Sequence, residues 1–222
     1  MKICFLDNSP ISYTSKDLNS IDIRGAENAI INLSQELVKL DNAVDVFNNC
    51  LENCIINDVR WNNIKSLNTD IIYDIAITNN DIRLFDKILA KKYVAFSHSI
   101  QTIEKFIRKG QLLSFLKYKP KIVLLGDYHN KNRNFLLKIF GTINLKWAVD
   151  PIFLNASLDE SLIENKAIFT SRRDRNLDIL IKIWKQKIFP KNKFIKLLST
   201  PCDFIDNNFN IFSRDFGDKK SM

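Results

Sequence analysis

Residues 71–99 read Ile71-Ile72-Tyr73-Asp74-Ile75-Ala76-Ile77-Thr78-Asn79-Asn80-Asp81-Ile82-Arg83-Leu84-Phe85-Asp86-Lys87-Ile88-Leu89-Ala90-Lys91-Lys92-Tyr93-Val94-Ala95-Phe96-Ser97-His98-Ser99. The apolar, isoleucine-rich run over 71–77 predicts a buried strand. Ile82, Phe85 and Leu89 recur at helical spacing, which predicts a helix over Asp81–Leu89. Tyr93-Val94-Ala95-Phe96 predicts a second strand, running straight into Ser97-His98-Ser99. Strand, helix and strand in immediate succession make a β-α-β unit, and such units build parallel sheets.

The same alternation extends in both directions. Ile3-Cys4-Phe5-Leu6 opens the chain as a short buried strand, followed by a long polar loop over 7–24. Gly25-Ala26-Glu27 then starts a helix that reaches about Leu40, with Ile30, Leu33, Leu37 and Leu40 on one face. Val44–Phe47 reads as a strand, 101–117 as helical segments, Lys121–Leu125 as a strand, 128–140 as a helix and Ile143–Trp147 as a weaker strand. The expected fold class is therefore α/β: a doubly wound, Rossmann-like parallel-sheet domain over 1–150. A polar linker over 151–165 leads to a second β-α-β unit within 166–200, with strands at 166–170 and 194–199 around a helix at 176–188. An Asn- and Asp-rich stretch over 201–222 reads as an irregular tail.

Composition narrows the function classes. The chain has 222 residues, 45% hydrophobic, with four cysteines and a formal charge of +8. Cys50 and Cys54 are too far apart for a redox pair and have no histidine nearby, so reduced thiols in a cytosol fit best. No apolar run is long enough to span a membrane. Ten Lys or Arg lie between Lys166 and Lys196 against two acids, Asp174 and Asp178, so that segment carries net +8, the whole of the chain's charge. Such a concentration selects an anionic partner: a phosphorylated small molecule, an anionic membrane surface or nucleic acid. Aromatic residues for stacking on bases are sparse in the segment, which disfavours nucleic acid.

The candidate chemistry sits where strands end and helices begin. Arg172, Arg173 and Arg175 follow the strand Ala167-Ile168-Phe169 and precede Leu177, Leu180, Ile181 and Trp184 at helical spacing. Guanidinium forks at that turn suit phosphate oxygens. The bland alternative is a solvated basic turn partnered by Asp174. Gly25-Ala26-Glu27 lies at the first strand-to-helix junction, where a glycine admits a ligand close to the backbone. His98 ends a strand on the ligand-binding edge of the sheet, with a loop-supporting histidine as its structural alternative. His129 reads as a surface residue in a polar helix start. All five glycines are isolated, so neither dinucleotide-binding nor P-loop fingerprint is present. That argues against a nucleotide-dependent enzyme of another Rossmann type.

Taken in order, these residues resemble a GT-B-type retaining glycosyltransferase, the large group that includes glycogen synthases and many bacterial polysaccharide glycosyltransferases. That family starts its first long helix on Gly-Gly-x-Glu, matched here by Arg24-Gly25-Ala26-Glu27 with the first glycine replaced. His98 matches its strand-end histidine, and Ala148-Val149-Asp150 its Gly-Val-Asp before the second domain. Arg172 and Arg175 match its two basic donor-diphosphate ligands. The resemblance implies a nucleotide sugar as substrate, no cofactor and no metal. Arg172 and Arg175 would bind the donor diphosphate, Gly25, Ala26 and Glu27 would form a donor or phosphate loop, and His98 would be the catalytic residue. It implies a saccharide or lipid-linked acceptor and a cytoplasmic location, with peripheral attachment at the inner membrane face as an open alternative. The family's paired glutamates of the second domain have no counterpart, since no glutamate follows Glu164. The expectation is thus an incomplete GT-B architecture with impaired activity. The alternative is a non-catalytic basic module that binds an anionic membrane or a phosphorylated ligand.

Overall fold

A computed structural model of the chain describes residues 1–18, 20, 23–67, 70–98, 102–146, 148, 165–170, 176–199 and 206–213. The chain divides into two compact units, Met1–Ala148 and Val149–Met222.

The first unit is α/β and built on eight strands: β1 (Lys2–Leu6), β2 (Ala43–Asn48), β3 (Cys54–Ile56), β4 (Val59–Asn63), β5 (Ile72–Asn79), β6 (Leu89–Phe96), β7 (Lys121–Leu124) and β8 (Thr142–Asn144). They form one sheet in the order β3-β4-β2-β1-β5-β6-β7-β8. All neighbours are parallel except β3 and β4, which form an antiparallel hairpin at one edge. The chain leaves β1 toward β2 on one side and later returns to lay β5 on the other. That reversal marks the Rossmann-like, doubly wound arrangement, and ligands in such sheets bind beyond the carboxyl ends of the strands at that point.

Alternation along β1 gives the sheet two apolar faces. Ile3 and Phe5 pack with Ile30 and Ile31 of helix α1 (Gly25–Lys39), together with Val44, Val46, Val59 and Trp61. Cys4 and Leu6 face the other layer, with Phe85, Phe106 and Phe115. That layer holds a 3-10 turn (Ile82–Lys87) and helices α2 (Ile103–Arg108) and α3 (Leu112–Tyr118). Each fully buried large side chain contributes about 1.5–3 kcal/mol of transfer free energy, so the two faces hold the sheet jointly. Helix α1 begins on Gly25 with Glu27 in its first turn and Lys39 in its last, both matched to the helix dipole. It stops where Asp41 enters the left-handed region at φ 57°.

Several elements differ from expectation. Asp81–Leu89 is not a helix: Asp81 caps a 3-10 turn, its carboxylate accepting from the Arg83 amide, and Leu89 already belongs to β6. The helix expected over 128–140 breaks at Arg133, whose backbone is extended, leaving α4 (Asp127–Asn132) and a 3-10 turn at Phe135–Lys138. The β3–β4 hairpin was not expected at all. Its turn residues Asn57 and Asp58 both sit at positive φ, 52° and 59°, as a two-residue hairpin with a type I′ turn requires.

The second unit contains β9 (Lys166–Phe169), helix α5 (Leu177–Ile183), which continues as a wider π turn at Trp184–Ile188, β10 (Lys196–Ser199) and β11 (Ile211–Ser213). The three strands form a parallel sheet in the order β11-β10-β9. Trp184, Leu197 and Ile211 are its buried core, and the Trp184 indole donates to the Phe209 carbonyl at 2.9 Å. Strand β11 lies in the stretch read from sequence as an irregular tail. Among the described residues, no helix is long and apolar enough to cross a membrane.

Candidate functional site

The carboxyl end of β1 delivers Asp7, which is 2% exposed. Its carboxylate accepts from the Tyr13 hydroxyl at 2.7 Å, the Ser9 amide at 3.1 Å and the Asn79 side chain at 3.2 Å. Burial pushes its pKa above the usual carboxylate range, and the hydroxyl, amide and side-chain donors pull it back only in part. Tyr13 is itself fully buried and stacks edge-on against Trp61 at 5.8 Å. Asn48, at the end of β2, donates to the Tyr13 carbonyl at 2.7 Å, and Asn49 donates to the Ser9 carbonyl at 2.6 Å. The loop after β1 is therefore fastened across the sheet edge by its own polar groups.

Ser9 links this loop to helix α1. Its hydroxyl donates to Glu27 Oε1 at 2.7 Å, while Glu27 Oε2 is buried with no hydrogen-bond partner. The Glu27 carboxylate lies in electrostatic range of His98, which follows β6. Burial lowers the His98 pKa, the Glu27 charge raises it, and His129 lowers it again. Burial wins, so the shift favours the neutral imidazole. Its ring packs on Phe96 at 4.6 Å between centroids. His129, in the first turn of α4, is half-buried, and its Nδ1 has no hydrogen-bond partner. Burial lowers its pKa too. This edge of the sheet thus carries two imidazoles, each with its pKa lowered by burial, within electrostatic range of each other, and a buried carboxylate with one oxygen uncommitted. That set can accept a proton or orient a ligand hydroxyl.

The structure brings Gly25, Ala26, Glu27 and His98 to one edge of the sheet. Gly25 is not forced by crowding: a Cβ there would meet nothing within 4 Å, and its φ is not in the left-handed region. The space over the start of α1 is open. Arg172 and Arg175 lie outside the described residues, between Thr170 after β9 and Asn176, which precedes α5 in the left-handed conformation at φ 67°. Val149 and Asp150 also lie outside the described residues, as does the stretch 151–164.

Sequence reasoning missed two groups of residues. Asp7, Ser9, Tyr13 and Asn79 carry the buried network, although Asp7-Asn8-Ser9 directly follows β1 and Asn79 is the last residue of β5. The sequence reads His129 as surface, and the structure leaves it partly exposed. The second group lines an open groove of about 410 Å³: Asn8, Asn80, Asp81, Arg83, Arg108, Lys109 and Gln111. Among the described residues no group of three or more His, Cys, Asp or Glu side chains is gathered as a metal site. The chain matches no known family model and no curated protein, so fold and site chemistry carry the functional reading.

Proposed function

We propose that the chain is glycosyltransferase-like, of the GT-B retaining type, handling a nucleotide sugar with a saccharide or lipid-linked acceptor. The observation that supports this reading is that Glu27, in the first turn of α1, and His98, just beyond β6, lie on the same carboxyl edge of a doubly wound sheet, within electrostatic range of each other. His98, whose imidazole burial biases toward the neutral form, and the Glu27 carboxylate on the same edge are suited to hold a sugar hydroxyl. The open space over Gly25 leaves room for a ligand against the helix start. In this reading Arg172 and Arg175 hold the donor diphosphate and stabilise the charge that develops on it as the glycosidic bond breaks. No cofactor and no metal is called for.

The test is release of nucleoside diphosphate from a panel of sugar nucleotides, followed by chromatography. Release from at least one donor, lost in His98→Ala while donor binding persists, is the expected outcome. Release undiminished in His98→Ala, or a panel in which no donor is bound or cleaved, contradicts the proposal.

A further inference from the structure

The groove beside the His98 cluster stands at the point where the sheet order reverses. Asn8 lies two residues beyond β1, and Asn80 and Asp81 directly follow β5. None of its lining side chains is apolar, so it suits a strongly polar ligand. Its volume of about 410 Å³ is within the range of small-molecule sites. Its walls are fixed by their own hydrogen bonds. Asn8 donates to Asp81 at 2.9 Å, Gln111 donates to the Asn80 carbonyl at 3.1 Å, and the Asn80 amide, at φ 62°, donates to the Phe96 carbonyl at 2.8 Å.

The charges do not cancel. Three cations, Arg83, Arg108 and Lys109, line the groove against the single carboxylate of Asp81. That carboxylate is already engaged by Arg83, through Nε at 2.9 Å and Nη2 at 2.7 Å. Among the described residues no carboxylate is ion-paired with Arg108 or Lys109. The neighbouring Lys105 ammonium registers the excess: burial lowers its pKa first, and Lys109, Arg108 and Arg133 lower it further. Guanidinium and ammonium groups held together in a polar groove recognise phosphate oxygens.

We infer that this groove is a phosphate-binding site for a small phosphorylated ligand of the sugar-phosphate class, with Arg108 and Lys109 as the principal phosphate ligands and the Asp81-anchored Arg83 as the third. The inference stands on the groove alone and does not depend on the transferase reading. The phosphate can come from a free sugar phosphate or from a lipid headgroup that leaves its acyl chains outside.

The experiment titrates the full chain with glucose 1-phosphate, inorganic phosphate and glucose by calorimetry. In parallel, it measures sedimentation with phosphatidylcholine vesicles with and without phosphatidic acid. Wild type, Arg108→Gln/Lys109→Gln and the control Lys187→Gln/Lys191→Gln are compared. Arg108 and Lys109 are exposed, so their loss leaves the core intact. The expected result is saturable binding of glucose 1-phosphate, none of glucose, and a loss of about tenfold or more only in the groove variant. Phosphatidic acid-dependent vesicle binding that is lost only in the groove variant supports the same site and assigns its phosphate to a lipid. Equal losses in both variants, wild-type affinity in the groove variant, or no saturable binding to any phosphate probe overturns the inference.

Discussion

Tyr13→Phe isolates the contact that holds the loop over the sheet edge. The substitution keeps the ring that packs edge-on against Trp61 and removes only the hydroxyl that donates to Asp7 at 2.7 Å. Asp7 is 2% exposed, so losing its shortest hydrogen bond leaves a buried carboxylate oxygen poorly solvated. A hydrogen bond to a charged group is worth about 1.5–3 kcal/mol. That corresponds to a fall in melting temperature of roughly 4–8 °C at 2 kcal/mol for a unit of this size. The effect depends on pH with a defined sign. The Asp7 pKa is raised in the folded state, chiefly by burial, and the Tyr13 hydroxyl lowers it. A raised folded pKa gives stability that is present at low pH and lost as pH rises through that pKa. Removing the hydroxyl raises the pKa further, so Tyr13→Phe destabilises most at neutral pH and progressively less toward pH 4. Hydrogen-exchange mass spectrometry on peptides covering β1 and β2 confines the measurement to this unit. A penalty below about 0.5 kcal/mol, or one that does not change with pH, would refute the reasoning.

Gly25→Ala should leave stability unchanged or raise it by up to about 1 kcal/mol, since Gly25 already lies inside α1 with Arg24 as its N-cap, where alanine restricts the unfolded chain more than glycine does, and a Cβ meets nothing there. The same variant should weaken donor binding if a ligand occupies that space, so thermal melts and calorimetry on one protein separate the two roles. His98 has a folded pKa lowered mainly by burial, so the unfolded chain binds the proton first and the native state loses stability as pH falls below about 6.5. His98→Asn should remove that share of the acid sensitivity in urea titrations run at several pH values. Trp184→Phe should cost about 1–3 kcal/mol from the lost indole hydrogen bond and the space it leaves, read as faster hydrogen exchange in β10.

How far the sequence speaks depends on which force sets each feature. Burial writes itself into the apolar runs, so β1, β2, β5, β6 and β7 were legible, as was the stripe of α1 through Ile30. Strand order was not, because Val44–Phe47 and Lys121–Leu125 look equally buried while lying on opposite sides of β1. The β3–β4 hairpin escaped because its short strands alternate weakly and its turn is Asn57-Asp58 instead of Asn-Gly. The apolar spacing of Ile82, Phe85 and Leu89 fits a helix, but Asp81 caps only a tight turn before β6 draws in Leu89. The placement of Glu27 and His98 on one sheet edge was legible because strand-to-helix junctions of a parallel sheet all lie at its carboxyl end. The Asp7–Tyr13–Asn79 network and the groove were not, because burial of polar residues depends on how a loop folds back. His129, read as surface, is partly exposed in the first turn of α4, within electrostatic range of His98.

Calorimetric titration of the full chain with uridine, guanosine and adenosine diphosphates tests the central claim most directly, with Arg172→Ala/Arg175→Ala as the comparison. The account predicts saturable binding of at least one of them, weakened about tenfold or more in the double variant, in line with the loss of charged hydrogen bonds to a diphosphate. Equal affinity in the two proteins, or no binding of any nucleoside diphosphate, would contradict it.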